Sequence, residues 1–481
     1  MNRAIRWVSV FALVLVAVLL VNLSVIHVFR EDELAQNPLN QRAFLEAKSV
    51  PRGEIIAGGQ VLATSTKDDA GYFHRVYPTA PVPFSSVTGY LSDRYGAAGI
   101  EQSYNGVLNG SEIGARQWID KLAGKLDRGN NVELSLSPQV QATAYEQLVS
   151  QGFEGSVVAL RPSTGEVLAM ASTPSHDPNQ VSSTDPNVSE NTWSKLNSDP
   201  GRPLLNHATQ ETLPPGSIFK IITTAAALES GFTPETPVTG AASITLPNTE
   251  TTLTNYAGQP CAGGGQVSLR TAFMHSCNTA FVEASEKIGK KKFADMASAF
   301  GVGETYDLGL EQAAGEVGEL PDAAALGQSA IGQRDVTMSA LQAAVMAATV
   351  ANDGARMEPH VVKRITAPDL KELHEVGPKK LNQAVPPEVA AQITDLMRDS
   401  ERNTFGASGA DIASKTGTAE HGADGTPPHT WYVAFSPSEN ADVAVAVVVK
   451  DGGGMGESAT GGRVASPIGR AVLQAALQAA G

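Results

Sequence analysis

The sequence predicts an α+β protein: one apolar N-terminal helix, a small mixed domain, and a larger domain in which a five-stranded antiparallel sheet flanked by helices faces a helical lobe. Three observations predict this. The run Trp7 to Phe29 carries no formal charge. Two β-rich runs, Ser156-Val-Val-Ala-Leu160 and Glu166-Val-Leu-Ala-Met-Ala171, flank the turn Arg161-Pro-Ser-Thr-Gly165 and read as a hairpin. Late in the chain Ile412–Ala419, Thr430–Phe435 and Val443–Val449 read as strands separated by turn-rich segments at 422–428 and 437–440, with helical runs filling the middle.

The apolar run is long enough to cross a bilayer as a helix and too long for the core of a cleaved signal peptide, and no small-x-small cut site follows it. Arg3 and Arg6 before it, against Arg30 and the acidic Glu31-Asp32-Glu33 after it, orient the N-terminus inward and put the bulk of the chain outside the cytoplasm. The expected division is a cytoplasmic tail at 1–6, an anchor at 7–29, a small mixed domain at 30–130 and the large domain at 131–481.

Within the large domain, Pro138–Val149 is helical and the hairpin follows it. Helices are expected at Ser217–Leu228, Leu269–Phe273, Asn278–Ile288 and Met338–Asn352, the last closed by Gly354, and a terminal helix at Pro467–Ala479. The simplest assembly joins the early hairpin to the three late strands as one sheet, covers it with the first and last helices, and leaves the middle helices as a second lobe across a cleft.

Composition narrows the function. The 481 residues are 42% hydrophobic, enough for a sizeable core. A net charge of −15 leaves no diffuse basic surface for nucleic acid, so an anionic substrate must meet locally placed cations. Two cysteines, Cys261 and Cys277, exclude a disulfide-dense scaffold and a cysteine-rich zinc site. Outside the cytoplasm they could form a Cys261–Cys277 disulfide, closing a short loop; the alternative is a buried free thiol at Cys277.

Leu213-Pro-Pro-Gly-Ser217-Ile-Phe-Lys220 ends a loop and opens an apolar helix, so Ser217 and Lys220 share a helical face as a nucleophile and its base would. Alone, that pattern reads first as a serine N-cap followed by a surface lysine, and what overturns this comes from elsewhere in the chain. Ser276 and Asn278 in His275-Ser-Cys-Asn278 sit between two helices, and Lys415-Thr-Gly-Thr418 lies on the first late strand. Alternation along that strand puts the hydroxyls of Thr416 and Thr418 on one face, near the charge of Lys415, and Gly417 is expected to leave space for substrate backbone. His207, His275 and His429 stand near these segments, but none forms a ligand-spaced pair, so no metal is expected.

In this order the three motifs match the S-x-x-K, S-D-N and K-T-G set of penicillin-binding proteins and β-lactamases, with Cys277 where that set has aspartate. The chain resembles a class B penicillin-binding protein of the PbpA-like type. Arg52-Gly-Glu-Ile55, Arg75-Val-Tyr-Pro78, Val87-Thr-Gly-Tyr90 and Gly99-Ile-Glu-Gln-Ser-Tyr-Asn105 are similar to the pedestal signatures of that class. Gly155–Gly165, Asn206-His-Ala-Thr209, Gly327-Gln-Ser-Ala-Ile-Gly-Gln333 and His429-Thr-Trp-Tyr432 are similar to its transpeptidase domain.

The resemblance implies a penicillin-binding/β-lactamase-like transpeptidase fold and a peptidoglycan D,D-transpeptidase without cofactors. In it Ser217 is acylated by a D-Ala-D-Ala donor or a β-lactam, Lys220 is the base, and Ser276 passes the proton to the departing amine between Lys220 and Lys415. Asn278 binds the donor amide, Thr416, Gly417 and Thr418 the terminal carboxylate region, and the backbone N–H groups of Ser217 and Thr418 form the oxyanion hole. Implied partners are stem peptides, with an amine as acceptor, β-lactams, the membrane, a membrane glycan polymerase, and divisome or elongation proteins.

Other classes fit less well. A serine β-lactamase would need a base for rapid deacylation and no pedestal, and a β-lactam sensor would need an intracellular output domain. A scaffold that recruits a polymerase without catalysis stays open, because such an interaction can coexist with activity.

Overall fold

The computed structural model describes residues 2–29, 48–111, 128–422 and 425–480. Arg30 and Glu31-Asp32-Glu33, used above to orient the N-terminal span, lie outside the described residues, as do two residues of the turn at 422–428. The chain opens with α1 (Asn2–Phe29), within which Ile5–Val25 is long and apolar enough to cross a membrane.

The small domain contributes β1 (Ile55–Ala57), β2 (Gln60–Lys67) and β3 (Phe73–Val76), then short helices up to Leu108. There follow β4 (Asn131–Leu134), α2 (Pro138–Val149), β5 (Gly155–Leu160) and β6 (Val167–Thr173). A 3₁₀ turn at Gly216–Phe219 runs straight into α3 (Lys220–Leu228). After α4 (Leu269–Met274) come α5 (Asn278–Ile288), α6 (Ala340–Ala351), β7 (Val362–Thr366), β8 (Glu372–Glu375) and α7 (Pro387–Arg402). The chain closes with β9 (Ala413–Ala419), β10 (His429–Ser436), β11 (Val443–Val449) and α8 (Ala465–Ala480).

The large domain is built on the antiparallel sheet β9-β10-β11-β5-β6, so the early hairpin does join the late strands. Every residue of β11, Val-Ala-Val-Ala-Val-Val-Val, is buried because both faces are covered. On one face α2 and α8 pack side by side and form their own apolar cluster with the sheet; against the other lies α6. The small side chains of α6 let it approach the strands closely, and Ser339 and Gln342 start it with a reciprocal capping box. The larger core spreads from this side of the sheet through α3, α5 and α6 into the small domain.

A second sheet, β8-β7-β4-β1-β2-β3, crosses the residue-130 boundary expected from the sequence. In it β4 pairs parallel with β1 and antiparallel with β7, a strand from far down the chain. Beside it the pedestal signatures meet in one charge cluster: Glu101, fully buried, accepts from Arg52 Nε at 2.7 Å and is paired with Arg75. Two guanidiniums around one carboxylate supply the hydrogen bonds that a buried charge requires. The middle lobe, expected to be mostly helical, also holds two small ladders, Pro237–Thr239 with Gln266–Ser268 and Ser243–Thr245 with Thr252–Thr254.

Candidate active site

Ser217 sits in the 3₁₀ turn, half-buried, between α3 and the edge strand β9. The α-helix proper begins only at Lys220, not at Ser217. The 3₁₀ turn serves the pair better, since its residues i and i+3 eclipse and Ser217 and Lys220 are stacked on one side. The turn is braced from behind. Gly216, at φ 53°, donates its N–H to Gly332 O at 2.9 Å, and a Cβ on Gly332 would come within 2.2 Å of Gly216 O. Ahead of the turn, the buried Trp431 donates its indole N–H to Pro214 O at 2.8 Å. Segments that the sequence linked only by resemblance, at 327–333 and 429–432, thus hold the Ser217 turn in place.

Lys220 is fully buried, and its Nζ reaches Ser276 O at 2.8 Å, Ser276 Oγ at 3.3 Å and Asn278 Oδ1 at 2.7 Å. Among the described residues no side chain or backbone group hydrogen-bonds the Ser217 hydroxyl. From β9, Lys415 Nζ donates to Ser276 Oγ at 2.9 Å and to Thr416 O at 3.0 Å. Burial, then repulsion from Lys415, holds the Lys220 amine well below the usual lysine range. Burial lowers Lys415 to about 7. The amines also lie over Phe281 and Phe273, at 5.3 and 5.7 Å from the ring centroids.

Ser276 has φ 57°, a left-handed conformation uncommon for a residue with a Cβ. It lets both its carbonyl and its hydroxyl meet Lys220. The next residue, Cys277, is disulfide-bonded to Cys261 with a Cα–Cα distance of 5.7 Å and opens α5, so the strained residue is tied to the loop opposite. Asn278 is engaged within the protein at both ends of its amide: besides accepting from Lys220, it donates to Thr254 O at 2.9 Å. One N–H of that amide remains for a ligand.

Along β9 the side chains of Thr416 and Thr418 are half-buried, whereas Lys415 and Gly417 are buried. A Cβ on Gly417 would meet Pro215 O at 2.7 Å and Ile218 Cγ2 and Trp431 Cβ at 3.1 Å, so its missing side chain lets β9 close on the Ser217 turn. A Cβ on Gly216 would in turn come within 2.8 Å of Thr418 O, which puts the two segments expected to supply oxyanion N–H groups in contact.

Two groupings escaped the sequence. Glu211 gathers Arg202 at 2.6 Å, His207 at 3.0 Å and Lys450 at 3.1 Å. Burial alone would raise its carboxyl, but the hydrogen bond and charge of His207, with those of Lys450, outweigh it and hold Glu211 at about 2. Beyond Thr418, His421 and His429 stack at 3.7 Å beside Asp451. His207 and Glu211 are an i,i+4 pair, a local signal that was passed over, whereas Lys450 and Asp451 reach these groupings from a distant stretch. His275 is exposed.

Comparison with known proteins agrees with this architecture. Residues 155–474 match the penicillin binding protein transpeptidase domain, and residues 52–132 the penicillin binding protein A dimerisation domain. The chain is 48% identical over 491 residues to the peptidoglycan D,D-transpeptidase PbpA of Mycolicibacterium smegmatis, covering 99% of both chains. It is 44% identical over 490 residues to the protein of that name from Mycobacterium tuberculosis, again covering 99% of both. Among solved structures, the ceftriaxone acyl-enzyme complex of penicillin-binding protein A from M. tuberculosis superposes with a TM-score of 0.87 at 44% identity, covering 90% of this chain and 100% of that one. The penicillin G acyl-enzyme complex of the same protein gives 0.85 at 44% identity, covering 89% and 100%. With its transpeptidase region matched and its whole length aligned to such relatives, the chain belongs to the class B penicillin-binding proteins of the PbpA type.

Proposed function

We propose that this protein is a peptidoglycan D,D-transpeptidase that cross-links stem peptides through an acyl-enzyme on Ser217 and is acylated there by β-lactams. The observation that carries the reading is the chain of hydrogen bonds Lys415–Ser276–Lys220 ending beside the Ser217 turn. A neutral Lys220 donates two hydrogens, to Ser276 O and Asn278 Oδ1, and keeps a lone pair that can accept a proton.

The Ser217 oxygen attacks the carbonyl carbon of the penultimate D-Ala while its proton passes to Lys220. The backbone N–H groups of Ser217 and Thr418 stabilise the resulting oxyanion. As the C–N bond breaks, the leaving D-Ala nitrogen takes a proton from the Ser276 hydroxyl, which is resupplied through Lys220 and Lys415. An ester on Ser217 remains. An acceptor amine attacks it, forms the cross-linking amide and returns the proton to Ser217. Lys415, Thr416 and Thr418 hold the donor's terminal carboxylate.

Ile5–Val25 serves as a single membrane anchor with the N-terminus inside, supported by Arg3 and Arg6 ahead of it. The anchor and the domain at 30–130 present residues 131–481 to the wall and are the surfaces through which a membrane glycan polymerase would be engaged.

Labelled penicillin tests the reading on the full-length chain in detergent. A covalent adduct is expected on the parent and none on Ser217→Ala; a Ser217→Ala protein that still takes up label covalently overturns it.

A further inference from the structure

The β9–β10 hairpin gathers a second group of side chains one residue pair beyond Thr418. In its register Thr418 faces Thr430 and Ala419 faces His429, and the loop after β11 lays Asp451 against the hairpin end. His421 Nε2 lies 3.0 Å and His429 Nδ1 3.6 Å from the same oxygen, Asp451 Oδ1. One donor atom from each of the three residues lies within 4.8 Å of the others; His429 Nδ1 also accepts the Asp451 backbone N–H at 3.2 Å, a hydrogen bond that ligation through this nitrogen would replace. Close as the carboxylate is, His421 Nε2 is shielded from solvent and makes no directed hydrogen bond.

The approach of Asp451 is not incidental to a loose loop. Asp451 itself has φ 48°, in the left-handed region. The two glycines that follow are close-packed: a Cβ on Gly452 would come within 2.7 Å of Ala459 Cβ, and one on Gly453 within 2.6 Å of the Phe153 ring. The backbone is therefore held on a path that delivers the Asp451 carboxylate to the two rings.

We propose that His421, His429 and Asp451 bind a divalent transition cation of the zinc class, through two imidazole nitrogens and one carboxylate oxygen, with a fourth position left to water. Two nitrogens and an oxygen at this spacing suit a borderline ion, whereas calcium and magnesium prefer sets made of oxygen. The rings stack 12° from parallel, and turning both nitrogens onto one ion requires a rotation. His421 is the ring free to make it, being partly exposed and followed by Gly422 at φ 68°. The expectation of no metal rested on the absence of a ligand-spaced pair; the hairpin supplies the pair across strands, and the loop after β11 supplies the third ligand. The ion would tie the hairpin to that loop and so pin the end of the strand that carries Thr416 and Thr418. It takes no part in acyl transfer, and the test does not depend on the transpeptidase reading.

The tag-free full-length chain in detergent, stripped with a chelator and dialysed, is titrated with cobalt(II) while the visible d–d absorption and the bound metal are read. One equivalent of cobalt with a d–d band displaced by one equivalent of zinc is expected. His421→Ala and Asp451→Gly, the latter keeping the left-handed backbone, should each weaken cobalt binding by about tenfold or more with an unchanged thermal melt. His374→Ala, on the remote strand β8, should leave binding intact. Absence of stoichiometric cobalt in the parent, binding as tight in His421→Ala and Asp451→Gly as in the parent, or loss of the band in His374→Ala would overturn the proposal.

Discussion

Lys415 donates to the hydroxyl of Ser276 across the gap between the sheet and the helical lobe, at 2.9 Å. The same hydroxyl lies 3.3 Å from Lys220 Nζ, so one small side chain stands between two buried amines. Burial lowers the proton affinity of both amines, and repulsion from Lys415 lowers that of Lys220 further.

That arrangement predicts a bell-shaped pH profile for acylation. As the proposed base, Lys220 is needed as the neutral amine, which its lowered pKa favours, so the rate should rise out of the acid range. Lys415 acts as the cation, and at about 7 it loses its proton as pH increases, so the rate falls on the alkaline side. In Lys415→Arg the guanidinium stays charged, and the alkaline fall should disappear although the peak rate drops. Second-order rates of labelled penicillin uptake across pH measure this; an alkaline limb unchanged in the variant would refute it.

The Cys261–Cys277 disulfide should matter for both stability and chemistry. Its sequence separation of 16 corresponds to roughly 3 kcal/mol of loop entropy. The double variant Cys261→Ser/Cys277→Ser is expected to lose about that much in urea unfolding and to acylate more slowly, because Ser276 holds a left-handed backbone beside the bridge. Equal acylation rates would mean that the fold alone holds Ser276.

Gly417→Ala separates packing from substrate space. The added methyl group meets Pro215, Ile218 and Trp431, so stability should fall by about 1–3 kcal/mol and acylation should slow as β9 is pushed from the Ser217 turn. Were the glycine there only for substrate, the melting temperature would not move.

Glu211 sets an acid limit. Its folded pKa of about 2 lies below the unfolded value of about 4.3, so its contribution is complete above the unfolded value and drains away as pH falls through that interval. Glu211→Gln should be less stable than the parent at neutral pH, by on the order of 2 kcal/mol, and the difference should close toward pH 2. Denaturant melts at several pH values decide this; a gap independent of pH would assign the loss to packing.

What the sequence made legible follows from how far each signal reaches. Ser217 and Lys220 were readable because two prolines and a glycine precede an unbroken apolar run, and β11 because seven consecutive small and β-branched residues suit a strand covered on both faces. The 3₁₀ turn at Ser217 was not, since turn and α-helix share the same local pattern. The ladders between 237 and 268 have three-residue strands, too short for an alternation to register. Asp451 gave no sign because its partners lie in another segment, and Glu211 little, because its i,i+4 neighbour His207 is joined by Lys450 from far along the chain; at Gly417, a glycine needed by substrate and one needed by a neighbouring turn look identical in sequence.

The clasp of β4 between β1 and β7 means that this protein cannot be divided where its two family regions divide. A fragment begun at residue 155 would leave Val362–Thr366 with a naked edge, ready to recruit a strand from any neighbour. It also leaves no swivel between pedestal and catalytic body along that seam. A pull or twist applied to the small domain is carried by backbone hydrogen bonds into the segment that follows α6, the helix against which the catalytic sheet rests.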